Sequence, residues 1–327
     1  MLAAFYERTG SADDVLCVAK MDTPVPNSGE VLVRIATSGI NPSDVKTRAG
    51  ARGELAFPRI VPHSDGAGII EQVGDGVDVG RVGERVWVYN AAWKRPFGTA
   101  AQYVALPATQ AVPLPDSVAF EVGACMGIPA MTAHRCVFSG GSVEGQTVLV
   151  TGGAGAVGHY AIQLAKWGGA TVITTVSGDE KARHAELAGP DHIINYKTED
   201  TVSRVNEITS NEGVDRIVEV EFGGNLAVTT KILKTNGAIA AYGSVADPTP
   251  QLPFYDLMFK GIQIQSVLVY VLSDAARKAA IADLSRALVA PGFHHAVAKS
   301  FVLEETAKAH KCVEAGKVIG NVVLNVS

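Results

Sequence analysis

One short segment narrows the fold more than any other part of the chain. It is Gly153-Ala154-Gly155-Ala156-Val157-Gly158, which fits G-x-G-x-x-G. Its context gives it weight. TVLVTG (Thr147–Gly152) reads as a short buried strand before it, and HYAIQLAKWGG (His159–Gly169) as an amphipathic helix after it. In such a unit Gly153 allows a tight turn, Gly155 lets backbone approach a diphosphate, and Gly158 permits close helix–strand packing. The helix N-terminus, with Ala156 and Val157, offers free N–H groups and a positive dipole end to phosphates. The segment predicts dinucleotide binding.

Strand–helix alternation continues beyond the loop. TVITTVS (Thr171–Ser177), HIINY (His192–Tyr196), DRIVEVEF (Asp215–Phe222) and AIAAYGS (Ala238–Ser244) read as strands, and IQIQSVLVYVL (Ile262–Leu272) closes the series. EKARHAELAG, VSRVNEITS and LAVTTKILKTNG, ending at Gly237, read as the helices between them. This alternation predicts a parallel sheet wrapped by helices. Upstream the texture is β-rich. VLVRIA (Val31–Ala36), GAGIIEQVG (Gly66–Gly74) and ERVWVY (Glu84–Tyr89) are separated by Gly, Pro and Asp turns, which suits an antiparallel, barrel-like unit. FEVGACMGIPAMTAHRCVF reads as helix broken by Pro129. After Asp274 come two helical stretches and a strand, NVVLNV (Asn321–Val326), expected to return to the N-terminal domain.

Composition sets outer bounds. At about 150 residues per domain, 327 residues predict two domains. With 47% hydrophobic and 19% charged residues, disorder is excluded as the dominant state. A net charge of -5 gives no global basic field, so neither nucleic acid nor anionic membrane is an expected partner. Cys17, Cys125, Cys136 and Cys312 form no C-x-x-C pair, which argues against a disulfide scaffold or a zinc knot. No signal-peptide pattern opens the chain, and no apolar run reaches the ~18 residues of a membrane helix. A cytoplasmic protein is expected.

The end of the second strand addresses which dinucleotide binds. An acidic residue there would grip a ribose 2'-hydroxyl. Thr174-Thr175-Val176-Ser177-Gly178 has none. Ser177 and the Gly178 amide can donate to a 2'-phosphate, and Lys181 can supply charge, which favours NADPH. Read alone, Ser177 equally serves as a helix cap and Lys181 as a surface lysine; Asp179 is the alternative ribose acid. Two further carboxylates, Glu219 and Glu221, are odd in a buried strand. They either accept ribose hydroxyls near the cofactor edge or lie in solvent at the strand end. The histidines are read first as packing or surface residues, His294, His295 and His310 among them; for His134, two residues after Thr132, the alternative is a cleft-lining group able to donate a proton.

Several motifs together carry a resemblance over essentially the whole chain. They are GINPSD (Gly39–Asp44), VPHSDGAGIIEQVG (Val61–Gly74), GTAAQYVALP (Gly98–Pro107), GIPAMTAHR (Gly127–Arg135), VLVTGGAGAVGHYAIQLAK (Val148–Lys166) and INY (Ile194–Tyr196). With them the chain resembles the zinc-independent, zeta-crystallin-like quinone oxidoreductases of the medium-chain dehydrogenase/reductase superfamily. The resemblance implies an α/β fold: a Rossmann doubly wound parallel sheet plus a GroES-like β-rich catalytic domain. The catalytic domain is expected at residues 1–122 and 273–327, and the NADPH-binding domain at 123–272.

Zinc-dependent relatives place a Cys where Asn41 stands and a His-Glu pair where Ser64-Asp65 stands. They also carry a four-cysteine lobe, whereas Trp87–Gly98 contains no Cys. His63 lies one residue from a ligand position, but one imidazole without thiolates is a poor site, so no metal is expected.

Site residues follow from the same resemblance. Asn41 matches a loop near the nicotinamide ribose and substrate, and Lys46 stands where many relatives have a Tyr. Thr132 matches a threonine at the nicotinamide end, and Tyr196 a residue flanking the 2'-phosphate beside Lys181. Tyr242, Gly243 and Ser244 match backbone running past the adenosine and nicotinamide ribose. Leu268, Val269 and Tyr270 match the stretch along the nicotinamide face, and Lys317 a basic phosphate contact. Asn41, Lys46, Thr132 and Tyr270 are the catalytic candidates. The implied activity is NADPH-dependent, metal-free quinone reduction with the nicotinamide in the interdomain cleft, by hydride or by single electrons. Enone or alkenal reduction, with Tyr270 as proton donor, is the nearest rival, and a crystallin-like or RNA-binding role the non-enzymatic one. A homodimer joined through the Ile262–Leu272 edge is expected.

Overall fold

Val, Ile and Thr crowd the short runs between glycine turns, and β-branched side chains favour extended backbone. In the computed structural model, which describes residues 1–326, these runs become strands. The chain opens with β1 (Leu2–Phe5), α1 (Ala12–Val15), β2 (Cys17–Lys20), β3 (Glu30–Ile40), α2 (Pro42–Arg48), β4 (Asp65–Val73), β5 (Arg85–Val88), β6 (Tyr103–Pro107), β7 (Ala111–Pro113) and α3 (Phe120–Gly123). A π-turn at Met126–Ala130 contains Pro129 and leads into α4 (Met131–Phe138). Then β8 (Thr147–Val150), α5 (Ala156–Trp167), β9 (Thr171–Val176), α6 (Asp179–Glu186), β10 (His192–Asn195), α7 (Thr201–Ile208), β11 (Val214–Glu219), α8 (Phe222–Ile232), β12 (Leu233–Ala241), α9 (Phe254–Phe259) and β13 (Gln263–Ser266) follow. The tail adds α10 (Asp274–Ala287), β14 (Val297–Val302), α11 (Thr306–Glu314) and β15 (Asn321–Asn325).

These elements form two units, Met1–Pro129 with His295–Ser327, and Ala130–His294. In the first, the long β3 is the spine of a seven-stranded sheet. It pairs antiparallel with β15, β4 and β6. The last strand therefore does return to the N-terminal domain. Only β14 and β15 pair parallel in this sheet. Val33, Ile35, Val86, Val88, Leu106 and Leu324 share its core.

The second unit is a six-stranded parallel sheet in the order β10-β9-β8-β11-β12-β13. The order reverses between β8 and β11, which opens a crevice beyond their carboxyl ends. Leu149, Ile173, Ile194, Ile217 and Ile239 fill the core from successive strands.

Three boundaries differ from the sequence reading. The helix expected to run to Gly237 stops at Ile232, because Lys260 Nζ donates to the carbonyls of Thr230, Lys231 and Leu233 (2.8, 3.1 and 3.0 Å) and takes the C-terminal acceptors. The strand expected over Ile262–Leu272 spans only Gln263–Ser266. Its one neighbour, β12, ends at Ala241, whose carbonyl takes the Val267 amide, and the chain then coils into a short turn at Val269–Val271. Helix α10, expected in the first domain, belongs to the second unit. It packs on α4, burying Ala280, Leu284 and Ala287.

Candidate functional site

The glycine loop joins β8 to α5, as the spacing predicts, but its glycines divide the work differently. The left-handed turn falls on Gly152 (φ 67°) rather than on Gly153. Gly153 is needed for room: a Cβ there would lie 2.1 Å from Thr174 Oγ1. At Gly158 a Cβ would lie 2.4 Å from the Gly152 carbonyl, so helix and loop touch only through glycine. Gly155 caps α5 without any side-chain bond, and a Cβ there would meet nothing but the Gly152 carbonyl, at 3.3 Å. That single contact is tight, but no side chain and no other segment crowds the Gly155 side of the loop. The first amides of α5, at Ala156, Val157 and Gly158, have no intrahelical acceptor. This is the arrangement a diphosphate needs.

At the end of β9, Gly178 rather than Ser177 is the N-cap of α6, again with no side-chain bond. The Ser177 hydroxyl instead receives Lys181 Nζ at 3.0 Å. Ser177, the Gly178 amide and Lys181 therefore stand together at one strand end. The Tyr196 amide donates to the Val176 carbonyl at 3.1 Å, which brings Tyr196 beside the same strand end. Its ring lies 5.3 Å from Lys197 Nζ. Asp179 sits with Glu180 in the first turn of α6, where acids complement the dipole.

A cavity of 620 Å³ opens at the carboxyl ends of β8 to β11, lined in part by Thr151, Thr175, Tyr196, Lys197, Val220 and Asn225. A larger one, 890 Å³, lies between α8 and the segment leading through α9; it holds none of the expected site residues. Chemistry ranks the smaller one higher, since it adjoins the glycine loop.

Glu219 is fully buried at the end of β11, so the solvent-exposed alternative is wrong. Thr151 Oγ1, the Glu221 amide and Asn225 Nδ2 all donate to its Oε1 (2.7, 2.7 and 2.9 Å). Burial raises its pKa against those hydrogen bonds. Glu221 accepts the amides of Val245 and Ala246 (2.8 and 3.0 Å) after β12. Burial alone would raise its pKa, but these backbone donors pull it below the usual carboxylate range.

In that same region the Tyr242 amide bonds the Glu219 carbonyl, and the Gly243 carbonyl accepts the Phe222 amide. Burial pushes the Tyr242 hydroxyl pKa well up. Ser244 Oγ accepts the Gly223 amide at 2.9 Å and donates to the Asp247 carbonyl. Of the stretch expected along a nicotinamide, Leu268 is exposed (45%), whereas Val269 and Tyr270 are buried (4% and 7%). Thr132 is buried on α4. His134 has the packing role rather than the alternative of proton donor: its Nε2 lies 2.8 Å from Asp283 Oδ2 on α10. Burial lowers its pKa, against the carboxylate beside it.

The first unit holds the remaining candidates. Asn41 is buried at the N-cap of α2. Its amide donates to Asp44 Oδ2 and its Nδ2 to Asp65 Oδ2, both at 2.8 Å. Burial raises Asp44 to about 7 and Asp65 well above the usual range. Lys46, on α2, and Lys317, beyond α11, are exposed. These residues suit zinc badly. Asn41 Nδ2 is a donor turned to Asp65, and both His63 nitrogens are bonded, to Ser38 Oγ (2.8 Å) and to His310 Nε2 (2.9 Å). Among the described residues no group of three His, Cys, Asp or Glu side chains could hold a metal ion.

Comparison with known proteins follows the same division. Residues 27–116 match the family model "Alcohol dehydrogenase GroES-like domain", and residues 156–286 match "Zinc-binding dehydrogenase". A 2-haloacrylate reductase from Burkholderia sp is 33% identical over 99% of this chain and 98% of its own. The chain belongs to the medium-chain dehydrogenase/reductase superfamily. Within this superfamily it is quinone oxidoreductase-like. A quinone oxidoreductase from Rattus norvegicus is 32% identical over 67% of this chain and 66% of its own. A mycobacterial protein solved as a complex with NADPH has a TM-score of 0.87 at 29% identity, with 100% of both chains covered. The Rossmann-plus-GroES-like architecture of the superfamily is the one found here.

Within each unit the structure shows polar groups that are not among the sequence-derived candidates. In the second unit Thr151 and Asn225 stand out only through Glu219, and no spacing rule joins Thr151 to a carboxylate 68 residues on. Lys197 follows Tyr196 directly, and that adjacency was a usable signal. In the first unit Asp65 opens β4 just ahead of the small and apolar run over residues 66–70, which is another signal.

Proposed function

We propose that this chain is an NADPH-dependent quinone oxidoreductase that works without a metal. The observation that carries the reading is the amino end of α5, capped by Gly155 with no side-chain bond and no side chain crowding it. The amides of Ala156, Val157 and Gly158 hold the diphosphate, with Gly153 and Gly155 keeping side chains out of its way. Ser177, the Gly178 amide, Lys181 and Tyr196 hold the 2'-phosphate, and the mycobacterial NADPH complex supports that choice. Tyr242, Gly243 and Ser244 carry backbone past the riboses, and Leu268 and Val269 flank the nicotinamide. Lys317 is a further phosphate contact.

When bound, NADPH supplies the reducing equivalents. The protein's task is orientation, because an aromatic hydroquinone anion is already stabilised; positioning contributes at most ~7–11 kcal/mol. Asn41, Lys46, Thr132 and Tyr270 are the proposed groups around the reacting ends. The Asn41 amide is held by Asp65 for that purpose.

A second reading is favoured by the 2-haloacrylate reductase relative. Reduction of a polarised carbon–carbon double bond adds hydride at one carbon and a proton at the next, and Tyr270 is the proposed donor.

The protein works as a homodimer. β13 is an edge strand with Ile264 exposed, and Phe254, Tyr255 and Phe259 on α9 are exposed as well. A cytoplasmic location agrees with four free cysteines; among the described residues no helix is long and apolar enough to cross a membrane.

The test is steady-state oxidation of NADPH and NADH against a panel of quinones and enones, with metal analysis and light scattering on the same sample. Faster NADPH oxidation with quinones, no stoichiometric zinc and a dimer mass are expected. Turnover with enones alone selects the second reading, and failure to oxidise either coenzyme overturns both.

A further inference from the structure

The strand DRIVEVEF carries two carboxylates, and one of them has no place in the reading above. Glu219 has its whole side chain inside the second unit. Its Oε1 takes three donors, whereas Oε2 is buried without a partner. Burying a carboxyl is costly, and an orphaned oxygen adds to that cost. A hydrophobic residue at the end of a parallel strand would avoid both. The three donors show what the carboxyl is connected to. Thr151 is the residue between β8 and the turning Gly152, and its hydroxyl also accepts the Val220 amide at 3.0 Å. Asn225 lies in the first turns of α8. The Glu221 amide leads to a carboxylate that gathers Val245 and Ala246 after β12. One oxygen thus ties the start of the glycine loop to α8 and, through Glu221, to the loop after β12.

We propose that Glu219 is a positioning residue for the coenzyme: through Thr151 it sets the register of the glycine loop against the loops that follow β11 and β12. The inference rests on the dinucleotide reading. Its consequence is a shared effect on the diphosphate end. Loss of the brace weakens NADPH and NADH alike, unlike loss of a 2'-phosphate contact.

The full-length enzyme tests this with Glu219→Gln, Glu219→Ala, Thr151→Val and the Thr151→Val/Glu219→Ala double variant. Each is measured for NADPH and NADH binding by fluorescence, for KM against kcat, and for Tm. Glu219→Ala and Thr151→Val should each weaken both coenzymes about ten-fold, the scale of one lost bond to a charged group, with KM rising more than kcat falls. The double variant should be no weaker than the worse single one. Glu219→Gln keeps an accepting oxygen and should stay within about two-fold of wild type. A lower Tm with unchanged coenzyme affinity, additive single effects, or a Gln variant as weak as the Ala variant overturns the proposal. If the wild type binds neither coenzyme, the dinucleotide reading fails and takes this one with it. If the wild type binds and the variants match it, the proposal alone fails.

Discussion

His63 and His310 face each other with their Nε2 atoms 2.9 Å apart, both rings fully buried. The order of donors along their network follows from counting protons. Thr99 Oγ1 donates to the Asp65 carbonyl, so Ser38 donates to Thr99 and receives His63 Nδ1–H. His63 Nε2 is then an acceptor, and His310 donates from Nε2. Nitrogen NMR should show neutral His63 protonated at Nδ1 and neutral His310 at Nε2; the reverse pair would refute the ordering.

The same pair predicts an acid-sensitive fold. Burial, with Arg48 adding its charge, lowers His310 to about 3, and burial with His310 beside it pushes His63 well down. Below the ordinary value of 6.5 the unfolded chain takes up protons that the native rings refuse. The pair's stabilisation is therefore complete above pH 6.5 and is lost on acidification toward pH 3, at up to ~1.4 kcal/mol per pH unit and ring. Buried Asp44, raised to about 7, has the opposite sign: its contribution falls as pH rises toward 7. Comparison of wild type with His310→Gln isolates the histidine part. The stability gap between them should narrow as pH falls from 6.5 to 4.5; parallel curves would exclude this account.

Glycines at two neighbouring positions should separate folding from binding. Gly158→Ala forces a Cβ to 2.4 Å from a backbone carbonyl, so folding stability should fall by roughly the 1–3 kcal/mol typical of overpacking, and Tm with it. Gly155→Ala meets a single, less severe contact, the Gly152 carbonyl at 3.3 Å, so Tm should fall less than in Gly158→Ala while coenzyme affinity drops about ten-fold or more. Equal Tm losses in the two variants would show that Gly155 is packed as tightly as Gly158.

Much of this was legible in the sequence, and the reasons are local. The glycine loop, the alternation after Gly145 and the returning strand Asn321–Asn325 depend on spacing and on β-branched runs, which a sequence displays directly. What stayed hidden depends on tertiary partners. The halt of α8 at Ile232 needs Lys260, almost thirty residues away along the chain. The membership of α10 needs Asp283 to find His134. The turning role of Gly152, taken from Gly153, depends on how closely Thr174 packs, and no motif encodes that distance. Glu219 looked out of place in its strand, which was a true signal, but its three donors come from three different segments.

Lys181 separates the coenzymes. Its ammonium stands 3.0 Å from Ser177 at the end of β9. Lys181→Ala should raise KM for NADPH about ten-fold, the scale of one charge-assisted bond, and leave KM for NADH within about two-fold. Equal changes for both coenzymes would show that Lys181 makes no 2'-phosphate contact.

His134 as a helix clasp, rather than the alternative of proton donor, makes the last prediction. Its Nε2 and Asp283 Oδ2 join α4 to α10 at 2.8 Å, with Arg286 also on the carboxylate. Burial alone would raise Asp283, but the bonds from His134 and Arg286 pull it below its usual range, while burial lowers His134. Both shifts have one sign: the unfolded chain binds protons more readily. The clasp is strongest above pH 6.5 and weakens on acidification, first through His134 and then through Asp283. His134→Ala leaves a half-buried carboxylate without its partner and should cost about 1–3 kcal/mol in urea unfolding at pH 7.5, and less at pH 5. A proton donor would behave otherwise. Its removal would change the pH profile of kcat with little change in stability, and that result would favour the proton-donor alternative over the clasp.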